Sequence, residues 1–303
     1  APQNKLMLRI HGLTYRIERM RFYHYFRLAY HFLSKSVKQF PIKGRNLMHK
    51  TDSQTINDFE SQIEGFENRR IKNIQRLKKV DQLVPRSRKV EQIYRHFLGD
   101  HQNIKVVQPT VKHLEKIKPR RFEALTCPIR FATLNGCISV PKGALLILEA
   151  LKSLHNKKLG SYFELHIFGG LLKDIKTEIL CYDNVFYHGY YHINQLNEIL
   201  SPIHVGIIPS VWEEVFGYVG LEFLAKGIPI IGNKKGGITE YTKDGTTGFV
   251  NKTASASELV SIMEKIIMAP IVIEDLNNKI LSNIRNIIKT VDQHCDEITA
   301  LYK

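Results

Sequence analysis

The chain has 303 residues, with 44 Lys and Arg against 29 Asp and Glu, a net charge of +15 and 43% hydrophobic residues. That length suits two domains, the apolar share suffices for buried cores, and no run of about 18 apolar residues offers a membrane span. Cys127, Cys137, Cys181 and Cys295 are scattered without C-x-x-C spacing, which argues against a disulfide framework or zinc site and for a reduced cytoplasmic setting.

In chain order, the opening APQNKLMLRIHG carries no signal-peptide apolar region of normal length, and residues 6–12 read as a short strand ending in His11-Gly12. Residues 15–40 interleave Arg16, Arg19, Arg21, Arg27, Lys35 and Lys38 with Phe22, Tyr23, Tyr25, Phe26, Tyr30 and Phe32. Two readings stand for this stretch: a cationic aromatic surface for peripheral contact with anionic lipid headgroups, or amphipathic helices whose aromatics are core. No nucleic-acid motif accompanies the charge, so a nucleic-acid partner is not expected. A hydrophilic loop at 43–55 and a long amphipathic helix at 56–79 follow. VDQLVPRS (80–87) reads as a strand and turn, KVEQIYRHFL (89–98) as a helix and NIKVVQPT (103–110) as a strand. The Lys- and Pro-bearing segment 112–128 reads as an interdomain linker, which sets the boundary near residue 120.

From there strands and helices alternate. IRFATL, YFELHIF, NVFYHG, IHVGII and IPIIG are strands, with helices at GALLILEALKSL, around 174–180, at NQLNEIL and at YVGLEFLAK. Such alternation predicts βαβ units and a parallel, doubly wound sheet. Two helices, at 255–268 and 273–301, close the chain.

The stretch PSVWEEVFGYVGLEFLAKG (209–227) carries the chemistry. It places Glu214 and Glu222 on either side of a glycine-opened helix directly after an apolar strand, where open α/β sheets bind ligands. Gly217 lets backbone approach a ligand closely, and free N–H groups at the helix start attract anions. Glu222 lies five residues beyond Gly217, roughly 7–8 Å along a helix at 1.5 Å per residue. The two carboxylates could therefore contact opposite ends of an extended ligand with an anionic middle, the layout of a nucleotide sugar.

At these residues the chain resembles the retaining GT-B glycosyltransferases of glycosyltransferase family 4. Glu214, VFGYVGL and Glu222 match its E-x7-E motif, and GGITEYTKDGTTGFV (236–250) matches its downstream GG-x-x-E turn. The resemblance implies an α/β GT-B fold of two Rossmann-like domains facing a cleft. Residues 1–120 would form a short, basic, reduced or truncated acceptor-side domain, and residues 121–303 the nucleotide-sugar donor-binding domain with its closing helices. It implies transfer of a sugar from a UDP- or GDP-sugar donor to a glycan, lipid-linked or other hydroxyl acceptor, with no metal required. The alternative is a non-catalytic nucleotide-sugar-binding scaffold or partner subunit.

Site roles follow from the same resemblance. Glu214 would orient the sugar hydroxyls, Lys142 and the amides at Phe216 and Gly217 would stabilise the leaving diphosphate, and Glu222 would accept from the ribose diol. Gly136 opens the element that binds the diphosphate, Tyr190 and Tyr191 would contact the nucleobase, and His11 would lie near the transferred sugar. Three departures stand out. Cys137 occupies the position of a family arginine, so that Cys137→Arg is expected to be tolerated and to tighten donor binding if the missing cation is a true vacancy, the alternatives being that another Lys or Arg fills the site or that the pocket is reshaped. Gln108-Pro109-Thr110 replaces an Asn-Gly pair, and the Gly-rich loop ahead of the His strand is missing.

Overall fold

The computed structural model describes residues 64–99 and 103–302. The chain divides into two compact units, Ala1–Arg70 and Ile71–Lys303. The strand expected at 6–12, with His11, and the basic aromatic stretch 15–40 lie outside the described residues. Helix α1 spans residues 64–77, within the long helix expected there.

In the second unit, β1 (Gln82–Leu83) and β2 (Asn103–Ile104) form a short parallel pair around α2 (Arg88–Leu98). The Ser87 hydroxyl starts α2 by accepting the Val90 N–H at 3.3 Å. Both strands are shorter than their apolar runs suggested. Pro85 stands two residues beyond β1, and a proline brings no N–H to a ladder. Leu83, Leu98 and Ile104 close a small core with Ile74, Leu77 and Tyr94.

The main sheet has six parallel strands: β3 (Ile129–Leu134), β4 (Phe163–Phe168), β5 (Val185–Gly189), β6 (Val205–Ile208), β7 (Ile230–Asn233) and β8 (Gly248–Asn251). Their order is β5-β4-β3-β6-β7-β8, so the chain winds one way from β3 to β5 and the other way from β6 to β8. The interior strands β6 and β7 are buried at every residue, the pattern of a parallel sheet covered on both faces. Helix α3 (Ala144–Asn156) buries Leu146, Ile147, Ala150, Leu151 and Leu154 on its sheet-facing stripe. The shorter α4 (Lys173–Ile179), α5 (Leu196–Ile199), α6 (Val219–Ala225) and α7 (Ile238–Tyr241) complete the crossovers, and α8 (Ala256–Met268) follows β8. Strand β8 was not foreseen, because its four residues hide inside a glycine-rich turn motif.

The single helix expected at 273–301 is three: α9 (Ile271–Ser282), α10 (Ile284–Ile287) and α11 (Val291–Thr299). Ile288 is extended, and Thr290 opens α11 with a reciprocal capping box to Gln293, a local bonding pattern that outcompetes helix continuation. The segment expected as a linker is packed. Leu114, Ile117 and Phe122 lie in the main core. The fully buried Asn277 of α9 holds it there, donating to Arg120 O at 2.8 Å and Gly227 O at 2.7 Å and accepting from Phe122 N at 3.0 Å.

His204 ties β6 to β3 by backbone and ring: its N–H donates to Arg130 O at 2.9 Å, and its Nδ1 accepts the Arg130 N–H at 3.2 Å. Burial first, then the positive Arg120 and Arg130, push the His204 ring down from 6.5 to about 4. The ring is therefore neutral in the folded chain and takes up a proton on unfolding below its ordinary value. Its stabilising contribution is complete above about pH 6.5 and is lost as pH falls toward 4, on the order of 3 kcal/mol at about 1.4 kcal/mol per pH unit. His204→Gln should flatten the fall in Tm between pH 6.5 and 4 measured by calorimetry; equal slopes in parent and variant would exclude this role.

Candidate active site

Strand order reverses between β3 and β6, so the loops leaving their C-terminal ends lie side by side and open a crevice. Residues of the first loop meet residues of the second directly. Gly143, at φ +101°, packs so closely that a Cβ there would overlap the Pro209 carbonyl, and Val211 N donates to Pro141 O at 2.9 Å. Gly136 is equally confined, by the Thr133 hydroxyl and the Pro209 ring.

This contact brings together two residues singled out in the sequence. Lys142 Nζ lies 2.5 Å from Glu214 Oε1, and the Ser210 hydroxyl donates to the same oxygen at 2.6 Å. Burial pushes the Glu214 carboxyl up, but hydrogen bonds from Lys142 and Ser210, the Lys142 charge and a contribution from Trp212 outweigh it and hold Glu214 below the usual carboxylate value. Lys142 also stands 5.8 Å above the ring of Trp212, an indole 54% exposed beside the pair. Ser210 and Trp212 were not singled out in the sequence, although both lie just ahead of the E-x7-E motif, within residues 209–227.

The loop bearing Glu214 is fixed from below by the glycine-rich turn after β7. Glu213 Oε2 accepts Gly236 N at 2.6 Å, and Gly237 N donates to Glu214 O at 2.7 Å. Gly236 sits at φ +52°, and a Cβ there would overlap the Glu214 backbone. Buried Asn233 completes the anchoring by donating to Pro209 O at 2.9 Å and Ser210 O at 3.1 Å. The Glu240 carboxylate reaches the other way, accepting from Arg88 N at 2.8 Å and Gln108 Nε2 at 2.9 Å.

Beyond this loop, Gly217 adopts φ +83° at the start of α6. Among the described residues, no acceptor takes the amide hydrogens of Phe216 and Gly217. Phe216 is buried and meets Tyr241 edge-on, ring centroids 5.5 Å apart. Tyr241 also fills the space left by Gly217 and Gly220: a Cβ at Gly220 would overlap its ring. Burial, then the charges of Glu214 and Glu222, push the Tyr241 hydroxyl well above its ordinary value, so it stands within the field of both carboxylates.

Glu222, on α6, is only 7% exposed. Its Oε1 lies 2.9 Å from His113 Nε2, while its Oε2 is buried with no partner among the described residues. His113 comes from the expected linker, and nothing in its local sequence marks it. Tyr191 is half-buried, edge-on to Phe168, and feels the Glu222 charge. Tyr190 is 80% exposed, with its hydroxyl beside Gly170. The two neighbouring tyrosines thus face different surroundings.

The vacancy expected at Cys137 does not exist. Its side chain is fully buried, and burial pushes the thiol up to about 12. An arginine there would bury a guanidinium in the core, so the expectation that Cys137→Arg is tolerated is overturned.

Burial raises the Glu222 carboxyl, with His113 opposing through its hydrogen bond and charge. A carboxyl raised in the folded state contributes stability below its unfolded value, near 4.3, and loses it as pH rises through the folded value. Glu222→Gln keeps the shape and an oxygen for His113. Without ligand it should match or exceed the parent Tm at pH 7–8, with the difference closing toward pH 4. A Tm several degrees below the parent at neutral pH would contradict this account.

Residues 136–286 match the family model described as glycosyl transferases group 1. The lipopolysaccharide 1,2-N-acetylglucosaminetransferase of Salmonella typhimurium is 32% identical over 135 residues, 38% of this chain and 32% of that one, so the chain spans about a third of this curated relative. Among solved structures, sucrose-phosphate synthase from Thermosynechococcus elongatus superimposes with a TM-score of 0.66 at 18% identity, covering 78% of this chain and 61% of that one. Anabaena HepE in complex with UDP-glucose gives 0.60 at 15% identity, covering 74% and 64%. The parallel α/β architecture is that of the GT-B glycosyltransferases.

Proposed function

We propose that this chain is a retaining glycosyltransferase that moves a sugar from a UDP- or GDP-linked donor to a hydroxyl of a glycan or lipid-linked acceptor. The observation that carries this reading is the meeting of Lys142, Ser210 and Glu214 in the crevice where the strand order reverses. A cation and a hydroxyl converge on one oxygen of the Glu214 carboxylate there, beside two backbone amides with no acceptor among the described residues. That combination fits a ligand with an anionic centre and a hydroxyl-rich end. The UDP-glucose bound by the Anabaena neighbour supports a donor of this class.

In this reading Lys142 and the amides of Phe216 and Gly217 stabilise charge on the departing diphosphate, where preorganised donors act most strongly. Glu214 orients the sugar hydroxyls, and the exposed Tyr190 offers a face for the base. The leaving phosphate helps to deprotonate the acceptor on the same face, so no protein nucleophile and no metal are invoked. The protein contributes positioning and electrostatics. Residues 121–303 hold the donor and residues 1–120 the acceptor side.

Glu214→Gln preserves shape but removes the charge that pairs with Lys142. Transfer from the donor in a coupled nucleotide-release assay should fall about 10²–10³-fold, with Tm nearly unchanged. Full activity in the variant would exclude the catalytic reading. A parent protein that binds donor without turning it over would instead be a nucleotide-sugar-binding scaffold.

A further inference from the structure

We infer that His113 is a positioning residue for nucleotide recognition: it holds one oxygen of Glu222 so that the other is left open for a ribose diol. The inference rests on the assignment of Glu222 to the donor nucleotide. His113 sits on a short 3₁₀ turn, Lys112–Lys116, entered from extended Val111 and pinned by buried Leu114 and Ile117. Its position is therefore set by core packing and not by the crevice. It meets Glu222 across 109 residues of sequence, with both side chains largely buried, at 17% and 9% exposure.

A glutamate on a helix has several staggered rotamers open to it, and α6 alone selects none of them. The 2.9 Å contact to His113 Nε2 selects one, engages Oε1, and leaves Oε2 buried without a donor among the described residues. A buried acceptor without a donor is costly, and a ligand hydroxyl would satisfy it. Tyr191 and Tyr241 both lie within the field of Glu222, yet the Tyr241 hydroxyl is itself buried without a partner among the described residues and does not satisfy Oε2. One oxygen committed to the protein and one unfilled is the arrangement expected of a carboxylate reserved for a diol. The segment expected to be a mere linker thereby prepares the nucleotide site.

The test uses the full chain and calorimetric titration with the nucleoside diphosphate among UDP, GDP and ADP that the parent binds most tightly, alongside its 2′-deoxy counterpart. Parent, His113→Ala, His113→Leu, His113→Gln and Glu222→Gln are compared, with Tm measured for each. The parent should prefer the ribonucleotide. His113→Ala should weaken its binding about tenfold and bring the ribo-to-deoxy affinity ratio toward one. His113→Leu, which fills the space but cannot donate, reports the same effect should the alanine variant be too unstable to titrate. His113→Gln, which can donate to Oε1, should restore most of the affinity and the ratio. Unchanged affinity and ratio in both the Ala and Leu variants, beside weakened binding in Glu222→Gln, would overturn the role of His113 and leave that of Glu222 intact. Failure of Gln to rescue would also overturn it, reducing His113 to bulk. Unaltered binding in Glu222→Gln, or no nucleotide binding by the parent, would overturn the nucleotide assignment itself.

Discussion

The constraint on which the rest of the site depends is the close approach of two backbones, the loop after β6 and the glycine turn after β7. Gly236 and Gly237 lie against the Glu214–Phe216 main chain at distances that no side chain permits. Two hydrogen bonds then lock the approach, one from Gly236 N to the Glu213 carboxylate and one from Gly237 N to Glu214 O. Asn233 closes the same assembly from within the core by taking two successive carbonyls, at Pro209 and Ser210. Because these anchors use the Glu214 main chain and the side chains of its neighbours, the Glu214 side chain is spent on none of them and turns its Oε1 toward Lys142 and Ser210.

The two carboxylates of the motif differ in charge character because their partners differ. Glu214 has a lysine and a hydroxyl on one oxygen and stays ionised despite partial burial, whereas Glu222 is more deeply buried and its carboxyl is raised. Environments that push paired carboxyls apart assign them separate tasks. Tyr241 stands within the field of both and fills the space that Gly217 and Gly220 leave. The glycines of this motif therefore serve packing on one side and backbone exposure on the other.

Charge at the crevice is supplied differently from what the family resemblance implies. Where an arginine is expected, Cys137 is sealed in the core, its carbonyl accepting Leu172 N at 2.8 Å. Lys142 is the cation that the loop after β3 brings to the crevice, and Glu214 engages it there. An incoming anion would compete for Lys142 with a carboxylate on the opposite side of the same crevice, so binding of an anionic ligand and release of Glu214 are linked.

The sequence by itself determined the periodic parts. Alternating apolar runs and helical stripes identified five of the six strands of the main sheet and its parallel winding, because side-chain periodicity is a local property. It also singled out Glu214, Gly217 and Glu222, whose spacing lies within a few turns of chain, and Lys142, which precedes Glu214 by 72 residues. Tertiary structure alone decided what these residues touch. His113, read as part of a linker, reaches Glu222 because Leu114, Ile117 and Phe122 bury that segment and Asn277 clamps it; none of those contacts is local. Tyr190 and Tyr191 are adjacent and chemically identical, yet one faces solvent and the other packs on Phe168 near Glu222. Cys137 follows the same rule, since burial is set by what the rest of the chain places around a residue, and a residue type at a motif position does not encode that.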